Sequence, residues 1–279
     1  MISKFYAVSN KSSEITTREY STSFSSAIRL LHHDMQQPIY NIYGFVRFAD
    51  EIVDTFHSYD KASLLEEFKR DTYAAIQRGI SLNPILNSFQ QTVNDYNIDH
   101  GLIEAFFHSM EMDLSQKTYD TRNFNEYVYG SAEVVGLMCL YVFCEGKKEL
   151  YDRLKYSARS LGAAFQKVNF LRDIKADYNS LSRMYFPGCD FNNFTEQDKK
   201  QIEADIHNDF KAAYAGILKL PLKSRFGVYV AYKYYLSLFK KIKDLEPARV
   251  LEARIRIPDY RKMMIVLRAG VKNQLGLLG

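Results

Sequence analysis

Apolar positions recur along most of this chain at spacings of three and four residues, the period of one helix face. The pattern predicts a first short helix from Ser21 to Leu31 and a second that opens at Pro38 and runs through Asp54. Asp60 is placed to cap a third helix, which Gly79 ends. Further helical stretches cover 83–95, 99–114, 123–145 and 147–178. A loop holding Pro187, Gly188 and Asp190 follows, and Thr195-Glu196-Gln197-Asp198 has the form of a capped start for a helix over 196–217. Pro221 opens another helix through Lys243, and Pro258 sits where a last one begins. No stretch alternates as a strand does, and the linkers are short. The expected architecture is one all-α domain over residues 1–279, with 1–19 as a flexible lead-in.

A chain of 279 residues can bury one sizeable core. Glycine and proline are scarce, whereas Tyr (21) and Phe (19) are abundant, which suits helices around a wide apolar interior. The net charge of +4 is too modest to imply nucleic acid, and no zinc-finger or RNA-binding signature is present. The charge is uneven, however: residues 219–243 carry Lys and Arg but no acid, and 249–272 are also basic. Such a region is either a plainly solvated face or a contact for anionic headgroups or a diphosphate. Cys139, Cys144 and Cys189 are odd in number and lack CxxC spacing, which argues against a disulfide framework or a zinc site and fits a reducing cytosol. The N-terminus has no long apolar signal segment. The longest apolar run, Val134 to Cys144, is too short to span a bilayer. A cytoplasmic protein is expected, with membrane contact at most peripheral, at the inner face.

Two acidic motifs change the picture. In YGFVRFADEIVD, residues 43–54, Tyr43, Arg47, Asp50 and Asp54 share one narrow helix face at about 100° per residue. In QKVNFLRDIKAD, residues 166–177, Gln166, Asn169, Asp173 and Asp177 do the same, with Gly162 one turn earlier. Aspartates four residues apart repel, by a few tenths of a kcal/mol (roughly) on an open helix and by far more when buried without a partner. Each pair is either a solvated, salt-bridged edge or half of a metal site. The second reading uses hard-cation chemistry: Mg²⁺ takes oxygen ligands and is usually held by one or two carboxylates together with substrate phosphates. Two facing pairs suit cations bridging to a diphosphate leaving group, with Arg47 and Arg172 adding charge-assisted hydrogen bonds. Ionising an allylic diphosphate leaves a carbocation, which needs a dry cavity, and aromatic faces can stabilise it.

These residues resemble the squalene/phytoene synthase family, the head-to-head trans-isoprenyl diphosphate synthases. Tyr43, Arg47, Asp50, Glu51 and Asp54 match its Y-x-x-x-R-x-x-D-[DE]-x-x-D motif. Gly162, Ala164, Gln166, Asn169, Arg172, Asp173 and Asp177 match G-x-A-x-Q-x-x-N-x-x-R-D-x-x-x-D. SFSSAIRLL (23–31), YVYGSAEVVG (127–136) and RMYFP (183–187) resemble further family segments in the same order, from about residue 20 onward. The resemblance implies a single-domain isoprenoid synthase helical bundle around a central cavity. It implies Mg²⁺-dependent (or Mn²⁺-dependent) condensation of two prenyl diphosphates, through a cyclopropylcarbinyl diphosphate, to a hydrocarbon. Asp50, Asp54, Asp173 and Asp177 would bind the metal. Arg47, Arg172, Ser21, Ser23 and Arg254 would bind diphosphate, and Tyr43, Tyr127, Gln166 and Asn169, with Arg47 and Arg172, would form the reaction centre. The serines have an alternative as caps of the first helix, and Tyr127 as a core residue.

There are departures. Glu133 stands where the family commonly has a small residue, and His32-His33 replaces a usual proline after Leu31. His32-His33-Asp34 has the composition of a metal cluster, but an exposed helix end is the simpler reading. Within the family the expected product is phytoene, from two geranylgeranyl diphosphates. Dehydrosqualene or squalene from two farnesyl diphosphates is the alternative, with NADPH required only for squalene. A non-catalytic assembly factor and a one-substrate terpene cyclase remain as other classes. The former is expected to lose the metal-binding aspartates, and all four are present here.

Overall fold

The computed structural model describes residues 2–116, 118–181, 183–252 and 255–274. Among them helices dominate, and the one β-bridge, Thr118 to Met184, belongs to no strand. The helices are α1 (Ile2–Tyr20), α2 (Thr22–Ile28), α3 (His33–Asp54), α4 (Lys61–Arg78), α5 (Pro84–Tyr96), α6 (His100–Ser115) and α7 (Thr121–Val128). A π-helical turn, Tyr129–Glu133, joins α7 to α8 (Val134–Phe143). Then come α9 (Lys148–Ala176), α10 (Glu196–Ile217), α11 (Leu222–Lys243), the short α12 (Pro247–Val250) and α13 (Asp259–Gln274).

Local chemistry accounts for most boundaries. The Asp60 side chain accepts from the Ser63 amide, and Gly79 ends α4 with φ 71°. Thr195 and Asp198 form a reciprocal capping box at the start of α10. Two expectations are corrected. Residues 2–20 are not a flexible lead-in but helix α1, which packs on α3 and α5. Its buried face is made of small polar side chains: Ser13 Oγ lies 2.7 Å from Ser88 Oγ, and Asn87 donates to Ser9 Oγ at 3.0 Å. Helix α3 begins at His33 rather than Pro38. Pro38, the sixth residue of α3, lies past the first turn that tolerates proline freely and forfeits one backbone hydrogen bond there.

The core is aromatic. Phe45 of α3 stacks on Phe89 of α5 at 3.8 Å and meets Phe68, Phe106 and Phe107. Five of the 19 phenylalanines therefore fill this wall of the bundle. Helix α9 is fixed on its other flank by buried Lys167, which donates to Asp205 at 2.5 Å and Asp209 at 2.8 Å on α10. Cys139, Cys144 and Cys189 are all free thiols.

Candidate active site

A cavity of about 510 Å³ runs between α2, α3, α8, α9 and α11, within the usual range for small-molecule sites. Helices α3 and α9 supply opposite motifs to its lining. Tyr43, Arg47, Asp50 and Asp54 come from α3, and Gln166, Asn169, Arg172 and Asp173 from α9. Asp177 follows at the point where α9 opens into a second π-helical turn, Asp177–Leu181. Such turns interrupt the regular ladder and recur at functional sites. The inner wall is apolar, with Leu140, Phe143, Leu154 and Ile217 among its residues.

Close backbone contact positions the second motif. A Cβ on Gly162 would lie 2.6 Å from the Ala132 carbonyl, and one on Gly130 would lie 2.4 Å from the Ala105 carbonyl. The π-helical turn can thus press on both α6 and α9 only because those positions are glycine. Gln166, one turn after Gly162, reaches Ser131 Oγ at 3.4 Å.

The carboxylates are crowded and desolvated. Burial, then the charge of Asp54, pushes Asp50 up to about 8 against the pull of Arg47. Burial, then Asp173 and Asp54, pushes Asp177 up to about 7. Asp54 and Asp177 therefore feel one another across the cavity, although they lie on different elements. Burial also pushes the Tyr43 phenol up to about 12, and its ring stacks on Phe24 at 5.2 Å.

Both arginines are engaged. Arg47 pairs with Glu51, and its guanidinium carbon sits 4.4 Å from the Tyr20 ring centre. Arg172 Nε donates to Asp173 at 3.0 Å. Even so, Arg47 Nε and Asn169 Oδ1 are buried polar atoms without a hydrogen-bond partner. An unmet donor on Arg47 itself and an unmet oxygen one turn before Asp173 fit an anion and a hard cation, respectively. The four aspartates do not close into a single cage. Among the described residues only His32, His33 and Asp34 bring three such ligand atoms within 4.8 Å of one another, and His33 and Asp34 there are exposed. Carboxylate pairs on two walls suit ions completed by substrate phosphates better than a dedicated protein cage.

The remaining expected residues divide. Ser21 caps α2 by accepting from the Phe24 amide and also lines the cavity beside Tyr43. Ser23 is not in the lining. Two residues along a helix are about 200° apart, so only one of the two serines faces inward. Arg254 lies outside the described residues. Tyr127 lines the cavity, yet it is buried and its hydroxyl donates to Asp113 at 2.8 Å. Glu133 pairs with Arg159 at 2.6 Å.

Asp113 and Arg183 were not among the expected site residues. Asp113 lines the cavity, and burial pushes it up to about 7 against the pull of Arg183. Arg183 Nη1 lies 3.1 Å from both Asp113 Oδ1 and Asp54 Oδ1, so the segment after α9 is tied to the end of the first motif. The only signal for Arg183 was its place in RMYFP. Asp113 was one of three acids in α6, with Glu104 and Glu111, and nothing in the sequence marked it as the buried one.

An all-helical bundle with carboxylate pairs on two walls of a central cavity is an isoprenoid synthase fold. A crystal structure of a dehydrosqualene synthase in complex with ligand superposes with a TM-score of 0.84 over 96% of this chain and 98% of that one, at 19% identity. Residues 17–261 match the squalene/phytoene synthase family, and the chain belongs to it. The family is one of prenyltransferase-type enzymes. The phytoene synthase of Arthrospira platensis is 27% identical over 285 residues, covering 93% of this chain and 91% of that protein. The presqualene diphosphate synthase of Rhodopseudomonas palustris is 30% identical over 168 residues, which cover 60% of this chain but only 58% of that protein.

Proposed function

We propose that this protein condenses two prenyl diphosphates head to head, and that it is a phytoene synthase acting on geranylgeranyl diphosphate. The observation that carries the reading is the convergence of both aspartate motifs, with unpartnered Asn169 Oδ1 and Arg47 Nε, on one largely apolar cavity. Asp50, Asp54, Asp173 and Asp177 would hold Mg²⁺, with Mn²⁺ as a substitute. When bound, the metal neutralises charge on the departing diphosphate. Arg47 and Arg172 would exchange their present carboxylate partners for phosphate oxygens. The apolar wall would exclude water from the cationic chain, and the Tyr43 and Phe24 rings would face it with electron-rich surfaces. Tyr43 would remain a neutral phenol throughout, since its pKa lies far above any working pH.

The likeness to a phytoene synthase over nearly the whole chain favours the C20 substrate. The likeness to a presqualene diphosphate synthase favours a second reading, farnesyl diphosphate as substrate, with NADPH needed only if the product is squalene. Intact aspartates weigh against a non-catalytic assembly role. The deciding experiment incubates purified protein and Mg²⁺ with each diphosphate, with and without NADPH, and analyses products by mass spectrometry. A C40 hydrocarbon without NADPH is expected. A C30 product would move the assignment to farnesyl diphosphate, and no product from well-folded protein would overturn the enzymatic reading.

A further inference from the structure

Helix α13 has two apolar faces where a surface helix normally has one. Its inward face is ordinary: Ala269 is buried, and Ile265 and Val266 pack against the core. On the opposite side, Tyr260, Met263, Met264, Leu267 and Val271 fall within an arc of roughly 100°. All five are exposed, Met263 and Leu267 by 62% each. The solvent face of a soluble helix ordinarily carries polar side chains. Here Arg261, Arg268 and Lys272, all exposed, run along one flank of the stripe instead. No acid occurs anywhere from residue 260 to the end of the chain.

The adjoining surface has the same sign. Helix α13 packs on α11, which holds Lys233, Lys240, Lys241 and Lys243 and no acid. Burial, then the charges of Lys272 and Lys240, lowers the Lys233 ammonium below its ordinary range, so the two helices contribute to one positive field. The inward side of the same helix lies near the cavity: Lys262 Nζ donates to Thr22 Oγ1 at 3.4 Å, and the neighbouring Ser21 is part of the lining.

We propose that this outer face of α13 docks the protein on an anionic lipid surface. Met263, Leu267 and Val271 enter the boundary between headgroups and acyl chains, while Arg261, Arg268 and Lys272 meet lipid phosphates. An apolar stripe edged by cations is the pattern of a helix lying in the plane of a membrane interface. A second copy of the chain is the poorer occupant. A two-fold contact would set this patch against itself, bringing like charges together over the narrow strip of one helix. The inference is independent of which diphosphate the cavity takes.

The test uses the whole protein in co-sedimentation with vesicles of phosphatidylcholine alone or with about one third phosphatidylglycerol. Preferential binding to the anionic vesicles is expected. The Met263→Glu/Leu267→Glu variant should bind them at least roughly tenfold more weakly. The Arg268→Ser/Lys272→Ser variant should lose the preference for anionic lipid while leaving the apolar stripe in place. Circular dichroism and light scattering accompany each sample. Failure of the unmodified protein to bind either vesicle, or equal binding by the Glu variant with its helix content unchanged, would overturn the proposal. So would a dimer that the Glu substitutions dissociate.

Discussion

The Arg183 guanidinium lies 3.1 Å from the Asp113 carboxylate, and both side chains are almost fully withdrawn from solvent. Removing one partner of such a pair strands the other as a buried charge. Arg183→Met is therefore expected to cost about 3–5 kcal/mol of stability. The double variant Arg183→Met/Asp113→Asn should recover a large part of that loss, because a neutral amide replaces the stranded carboxylate. Urea denaturation of the two single variants and the double variant checks this. Strict additivity would mean that the pair is not coupled.

Gly162 and Ala132 set the distance between α9 and the π-helical turn. Alanine at 162 would place its Cβ 2.6 Å from a backbone carbonyl, which cannot rotate aside as a flexible side chain would. Gly162→Ala is expected to destabilise by about 1–3 kcal/mol, the usual cost of overpacking. Turnover should fall as well, because Gln166 and Asn169 ride on the next two turns. Thermal unfolding and initial rates measure the two effects. An unchanged melting temperature would show that the helices separate freely.

The carboxylates of the two motifs should separate activity from folding. Asp50→Asn and Asp173→Asn are each expected to abolish turnover while leaving the helical circular dichroism intact. Burial and Asp54 make the charged form of Asp50 costly, so Asp50→Asn should also raise the melting temperature of the metal-free protein near pH 8. Near-normal activity in both variants would refute the metal assignment.

Legibility in the sequence followed the type of signal each element carries. Helices α4 and α10 announce themselves through capping side chains at fixed offsets, and the two acidic motifs through a shared helix face. Helix α1 does not, because the face it buries is Ser9, Ser13 and Thr17, which has no apolar period to detect. Small polar groups serve there because α3 approaches closely: a Cβ on Gly44 would lie 2.7 Å from Ser13 Oγ. Asp113 was hidden for another reason. Its partners Tyr127 and Arg183 are 14 and 70 residues away, so only the folded chain brings them together. The outer stripe of α13 was visible only as part of a basic tail until the packing of Ala269 showed which face is covered.

The raised pKa values of the site carry a stability signature of definite sign. Asp50, Asp113 and Asp177 move from an ordinary 3.8 to about 8, 7 and 7 in the folded protein. Between roughly pH 4 and pH 8 the folded state thus binds more protons at these groups than the unfolded state does. Their contribution to stability is present at the acidic end of that window and is lost as pH rises through the folded pKa values. If Mg²⁺ binds Asp50 and Asp177, it competes with protons and stabilises only the form that has released them. The gain in melting temperature on adding Mg²⁺ should therefore be small near pH 6 and larger near pH 8. Both Asp50→Asn and Asp177→Asn should reduce that gain, whereas Asp113→Asn should preserve its pH dependence. Scanning calorimetry across this range, with and without Mg²⁺, reads the difference directly. A Mg²⁺ effect that does not vary with pH would mean that the ion binds without displacing protons from these aspartates.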